Sequence, residues 1–149
     1  MKNGRISNKA INFTWEELTH SQTADTRGIS NIPNEEVEKN LQRLAEVYLQ
    51  PLRNEFGPLV INSAYRAKAV NAAVGGASNS RHLSGCAADI KVRSVLIACQ
   101  MVTFLHQRFI KQGIGYDEAI ISKHKGKYWL HLSYSPTGQN RLNTAAICY

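Results

Sequence analysis

Long apolar runs are missing from this chain, and none approaches the ~20 residues that a membrane-spanning helix requires, so no membrane insertion is expected. The first ten residues, Met1 to Ala10, carry positive charge but lead into no apolar stretch of the kind that makes a secretory leader. No signal peptide is therefore read here. Cysteine is scarce: Cys86, Cys99 and Cys148 are the three present, with no C-x-x-C pair. An odd, scattered set excludes a disulfide framework and fits a reducing compartment. Acidic residues are few, 11 against 18 Lys and Arg, which leaves a formal charge of +7 and a surface attracted to polyanions. The basic residues are dispersed except at Lys123-His124-Lys125-Gly126-Lys127. One dense cluster reads as a solvated loop, and no specific nucleic-acid role is expected.

What is present suits a globular chain. Hydrophobic residues make up 43% of the 149, enough for one core without staples. Repeats, low-complexity tracts and interdomain linkers are absent. We read residues 1–12 as a flexible N-terminus and 13–149 as a single domain.

Thr14-Trp15-Glu16-Glu17 has the form of a capping box and starts a short helix, with the polar stretch to Ser30 as a loop closed by Gly28. A second helix starts at Asn31-Ile32-Pro33-Asn34-Glu35-Glu36, where acidic groups face the positive end of the dipole. Val37, Leu41, Leu44, Tyr48 and Leu52 form one apolar stripe along it. Pro51 should kink this helix or end its regular part, because it lacks an N–H, and Gly57-Pro58 terminates it. Leu59-Val60-Ile61 reads as a short buried strand, residues 67–74 as two helical turns, and residues 87–92 as another strand. Ser94 caps a third long helix that Gly113 ends. Residues 114–121 and 128–134 form an antiparallel hairpin, and the tail beyond Pro136 shows little pattern until Ala145-Ala146-Ile147. The fold class is α+β, a small antiparallel sheet with helices packed on it.

The chemistry concentrates in Ser80-Arg81-His82-Leu83-Ser84-Gly85-Cys86-Ala87-Ala88-Asp89. His82 sits on a loop, and Asp89 seven residues on lies in an apolar strand, where an unpaired carboxylate is costly. With His131 of Trp129-Leu130-His131 they make a His/Asp/His set, the donor types and number that a hydrolytic zinc site uses. Spacing alone does not decide, since a loop histidine near an unrelated aspartate gives the same pattern. Cys86 is a competing soft ligand, but alternation directs it away from Asp89. If Ile121 pairs with Tyr128 in the hairpin, Glu118 lies opposite His131; a slip of one residue would put Asp117 there instead.

Four ordered segments, Ser63-Ala64-Tyr65-Arg66, Asn71-Ala72-Ala73-Val74-Gly75-Gly76, Ser80 to Asp89 and Trp129-Leu130-His131-Leu132-Ser133, resemble the M15 peptidases, the zinc D-Ala-D-Ala carboxypeptidase family. The short phage and prophage endolysin branch is the most similar, and the likeness spans about residues 13 to 141. The resemblance implies a Hedgehog/D-Ala-D-Ala-peptidase-like zinc fold, one Zn2+ held by His82, Asp89 and His131, and hydrolysis of peptidoglycan stem peptides. It also implies that Arg66 binds a substrate carboxylate or steadies an oxyanion, with Tyr65, Ser80 and Trp129 lining the substrate site. Ser80 is read equally as a turn-forming serine, and Trp129 as a pocket wall.

This chain departs from the family's pattern at the general base. Several branches carry an acidic residue three positions before the second histidine, where Tyr128 stands here. The phage-like branch places its acid in the preceding strand; Tyr116-Asp117-Glu118-Ala119-Ile120 resembles that segment, while a further expected acid reads Ser122. Asp117 and Glu118 are the candidates: the motif favours Asp117 and the hairpin register favours Glu118. The resemblance implies a monomeric lysin that accumulates in the host bacterial cytoplasm and reaches the wall after release. Tyr128 and Ser122 motivate an alternative, a zinc-stabilised peptidoglycan-binding or virion structural module with weak or lost catalysis.

Overall fold

The computed structural model describes residues 2–148; all of Met1 and Tyr149 and the side chains of Ile147 and Cys148 lie outside the described residues. In chain order the elements are α1 (Trp15–Thr19), α2 (Gln22–Arg27), α3 (Glu35–Arg43), a π-helical segment (Leu44–Leu49), α4 (Gln50–Phe56), β1 (Val60–Ser63) and α5 (Lys68–Ala73). A 3-10 turn (Arg81–Ser84), β2 (Ala87–Val92), α6 (Val95–Gln112), β3 (Glu118–His124), β4 (Lys127–Ser133) and β5 (Asn143–Cys148) complete the chain. No described helix is long and apolar enough to cross a membrane.

The five strands form one sheet in the order β1-β2-β4-β3-β5. The expected α+β class is present, but the sheet is mixed: β5 runs parallel to β3 while the other three pairings are antiparallel. The tail was not legible as a strand because its residues, Asn143-Thr144-Ala145-Ala146, carry almost no apolar alternation. Leu142 N–H to Tyr116 O and Asn143 N–H to Asp117 O set its register instead.

Two other elements differ from expectation. Residues 22–27 form α2, because Ser21 caps it through Ala24 N–H and Gly28 closes it with φ +65°. The first strand, β1, is an edge strand and not buried; Val60 is 57% exposed. The long helix runs on through Pro51. Its stripe is buried as expected, and the turn before the proline widens into π geometry, with Gln50 N–H bonding Ala45 O. The irregular ladder there absorbs the missing donor without ending the helix. At the N-terminus, Ile6 and Ala10 are buried, and Ile6 N–H bonds Phe13 O.

The helices cover one face of the sheet. Tyr134, just past β4, stacks on Tyr48 with ring centroids 5.1 Å apart and donates its hydroxyl to Asn40 O. Asn40 in turn donates its side-chain N–H to Ser84 O at 2.9 Å, which ties α3 to the turn that carries His82. Each fully buried Leu or Ile of this core contributes roughly 1.5–3 kcal/mol.

Gly85 is where helix and turn meet most closely. Its φ is +71°, and a Cβ there would lie 2.9 Å from both Val37 Cγ1 and Val37 O. Gly85→Ala should therefore lose about 2–4 kcal/mol from left-handed strain and overpacking together. Gly113→Ala, at φ +64° in open space, should lose about 1 kcal/mol. Urea unfolding of both variants checks the difference, and equal losses would refute the close contact.

Candidate metal centre

The site forms where β2 and β4 pair. Antiparallel register sets Asp89 opposite His131, so both side chains rise from the same face of the sheet. His82 comes from the 3-10 turn beside them, a turn that Ser80 caps by accepting from His82 N–H and that Gly85 ends with positive φ. Ligand atoms of His82, Asp89 and His131 lie within 4.8 Å of one another, and this is the one such group among the described residues.

Each ring has one nitrogen committed. His82 Nδ1 lies 2.6 Å from Ala64 O; a carbonyl only accepts, so Nδ1 carries a proton and Nε2 is the nitrogen that faces the site. Nε2 is 3.3 Å from Asp89 Oδ1, and His131 Nδ1 is 2.8 Å from the same oxygen. On the far side of the carboxylate, Arg66 Nη2 donates to Asp89 Oδ2 at 2.9 Å, while Arg66 Nε donates to Ser63 Oγ. A register shift in β1 between Ile61 and Ser63 puts Ser63 opposite Asp89, the re-aiming that bulges commonly achieve.

Burial pushes the Asp89 carboxyl up, but hydrogen bonds from His131 and His82, with the charges of both rings, outweigh it and hold the group far below the usual carboxylate range. Two imidazole nitrogens and one carboxylate oxygen, with a backbone carbonyl orienting one ring, form a donor set that fits one zinc ion.

Around this set opens a cavity of about 730 Å³, lined among others by Arg66, Ser80, Arg81, Glu118, Trp129 and His131. Glu118 reaches it and Asp117 does not. The hairpin register is Ile120 opposite His131 and Glu118 opposite Ser133, two residues away from the expected pairing. A slip of two preserves the face, so Glu118 stays on the side of His131, with its Oε2 3.7 Å from His131 Nε2. The Asp117 side chain is fully buried, bound by Arg141 Nε at 2.9 Å and Nη2 at 3.0 Å and by Arg81 Nε at 3.3 Å.

Tyr65 is also away from the cavity: it is 8% exposed and belongs to the core. Ser80 both lines the cavity and caps the turn, and Trp129 forms a wall. Cys86 is buried with its thiol toward Ser84 O, and burial pushes its pKa up. Ser122 lines the cavity where the family pattern calls for an acid.

Arg141 was missed from sequence. Its Nη2 lies 2.7 Å from Glu118 Oε1, so one guanidinium bridges Asp117 and Glu118. It sits in a tail without pattern, and no local signal marks it. Arg81 stands within the quoted motif, but only the fold reveals its contact with Asp117.

A family model described as Peptidase M15 matches residues 11–124. The chain belongs to the M15 peptidase family. The match includes His82 and Asp89 and stops before His131, which the β2–β4 pairing brings to them. Over 83 residues the chain is 34% identical to the zinc D-Ala-D-Ala carboxypeptidase of Streptomyces albus G, covering 54% of this chain and 31% of that relative. The chain thus spans less than a third of the relative's length.

The arginines around Asp117 make a stability prediction. Hydrogen bonds from Arg141, then its charge and Arg81, hold the Asp117 carboxyl below its usual range against the opposing effect of burial. A depressed folded-state pKa means that its stabilisation is fully present above the unfolded value near 4 and is lost as pH falls through the lower folded value. Asp117→Asn should therefore cost about 1.5–3 kcal/mol at pH 7, with the gap to wild type closing below pH 4. Urea unfolding at pH 7, 5 and 3 measures it; a gap constant with pH would contradict the pairing.

Proposed function

We propose that this M15 family member is a zinc-dependent peptidase that hydrolyses a peptide bond in bacterial peptidoglycan stems, as a D-Ala-D-Ala carboxypeptidase or an endopeptidase. The observation that carries the reading is the convergence of His82 Nε2 and His131 Nδ1 on Asp89 Oδ1 at the floor of an open cavity. The relative's printed name, a zinc D-Ala-D-Ala carboxypeptidase, supports the same substrate class.

His82, Asp89 and His131 would hold the ion. Zinc in such a set supplies Lewis acidity, which acidifies water and polarises a carbonyl. Everything else falls to the chain's own side chains. Glu118 is the carboxylate in the cavity besides Asp89, and it takes the general-base role at Oε2, the oxygen that Arg141 does not hold. Asp117, enclosed by two arginines, keeps Arg81 and Arg141 in place. Arg66, whose Nε and Nη2 also hold Ser63 and Asp89, lines the cavity wall and anchors a substrate carboxylate or a developing oxyanion through its remaining guanidinium N–H groups. Trp129 and Ser80 bound the path of the peptide. We further propose a monomeric lysin of phage or prophage type, made in a bacterial host and acting on the wall after release.

One observation favours a second reading, a peptidoglycan-binding module with weak or lost hydrolysis. Ser122 and Tyr128 occupy positions where acids are expected, and the remaining acid, Glu118, is engaged by Arg141.

Zinc-loaded protein incubated with purified sacculi should release peptides whose new termini mass spectrometry identifies. Glu118→Gln should slow release by about 10²–10⁴-fold with zinc content unchanged, and His82→Ala should abolish it. Cleavage unchanged in His82→Ala would overturn the peptidase reading, whereas sacculus binding without cleavage would select the second one.

A further inference from the structure

Beyond the metal cavity the same face of the sheet continues into a second cavity of about 560 Å³. Arg66, Asp89 and Trp129 line both, so the two are contiguous across the indole and the guanidinium. The second is distinctly cationic: Lys91, Lys127 and His124 line it with Arg66. Its acidic lining residue is Asp89, whose carboxylate is already faced by Arg66, His82 and His131.

The sheet's periodicity makes this arrangement a track. Side chains two residues apart on a strand share a face and stand ~7 Å apart. Along β2 the face reads Asp89 then Lys91; along β4, back from the metal, it reads His131, Trp129, Lys127. Lys91 pairs with Trp129 and His124 with Lys127. The two lysines therefore lie about one and two steps from the triad, toward the hairpin tip. An extended peptide advances ~3.4 Å per residue, so one lying across Trp129 brings residues two to four positions from the metal alongside Lys91 and Lys127.

We propose that this second cavity is a subsite for a carboxylate-bearing residue of the peptide, recognised by Lys91 and Lys127 and separated from the metal by Trp129. The proposal rests on the peptidoglycan reading above and names the part of the stem that this chain selects: the segment around the γ-linked D-glutamate, whose α-carboxylate is free in some walls and amidated in others. The other side of the triad is charge-balanced, with Arg81 and Arg141 paired against Asp117 and Glu118. Among the described residues that line the two cavities, the excess of positive charge lies on the Lys91–Lys127 side. Exposed lysine–carboxylate pairs are individually weak, so two of them predict a selectivity of about fivefold.

Isothermal titration with two synthetic pentapeptides, L-Ala-γ-D-Glu-L-Lys-D-Ala-D-Ala and its α-carboxamide counterpart, tests this at low ionic strength, with and without one equivalent of zinc. The free-acid peptide should bind about fivefold more tightly than the amide. Lys91→Ala/Lys127→Ala should remove that difference, and Lys111→Ala, at the exposed end of α6, should keep it. Equal affinity for the two peptides, a preference that survives the double substitution, or no binding of either would overturn the subsite. Cleavage of sacculi without acid preference sinks the subsite alone; acid preference without cleavage sinks the hydrolase reading alone.

Discussion

A single carboxylate, that of Asp89, carries the site. One of its oxygens is shared by His82 Nε2 and His131 Nδ1, and the other is held by Arg66. A carboxylate in a strand of alanine, isoleucine and valine is stable only when its charge is met. Here it is met by three groups from three elements of the chain. That requirement explains much of the surrounding construction: the bulge that presents Ser63 to Arg66, the 3-10 turn that presents His82, and the β2–β4 register that presents His131.

Precision at the carboxylate depends on packing some distance away. The turn bearing His82 is pinned from below by Asn40, and Tyr134 anchors the end of β4 against Asn40 and Tyr48. Ala64 O fixes the tautomer of His82. Rigid support of this kind holds ligands at productive geometry in metal sites generally. Beside it, Arg141 links the last strand to the site by bridging Asp117 and Glu118, so the tail belongs to the cavity wall and to the sheet at once.

Much of this was legible in the sequence where local chemistry is strong. The Val37–Leu52 stripe, the caps at Thr14 and Ser94, and the loop-to-strand junction at Gly85 each carry their own physical signal. His82 and Asp89 are seven residues apart in a small-residue motif; spacing alone left their partnership open, and the ordered segments that resemble the M15 peptidases pointed to it. Elements whose identity comes from tertiary contact were harder to read. The strand β5 exists because β3 offers an unpaired edge, not because of its own alternation. Pro51 signals an irregularity in the helix, but its form, a π turn between two buried halves of one stripe, follows from packing on both sides. The choice between Asp117 and Glu118 turned on face, which a hairpin register can shift two residues at a time without changing. Arg141, which holds both acids, is 23 or 24 residues away in a segment with no pattern.

The central claim is that His82, Asp89 and His131 act together as one metal-binding set. Its most direct measurement is the zinc content of purified, dialysed protein by elemental analysis, paired with thermal unfolding before and after chelation. Wild type should retain one zinc per chain and unfold at lower temperature once the ion is removed, while Asp89→Asn should retain none and show no response to chelator. A wild-type protein that holds no stoichiometric zinc, or an Asp89→Asn variant that holds as much, would contradict the account.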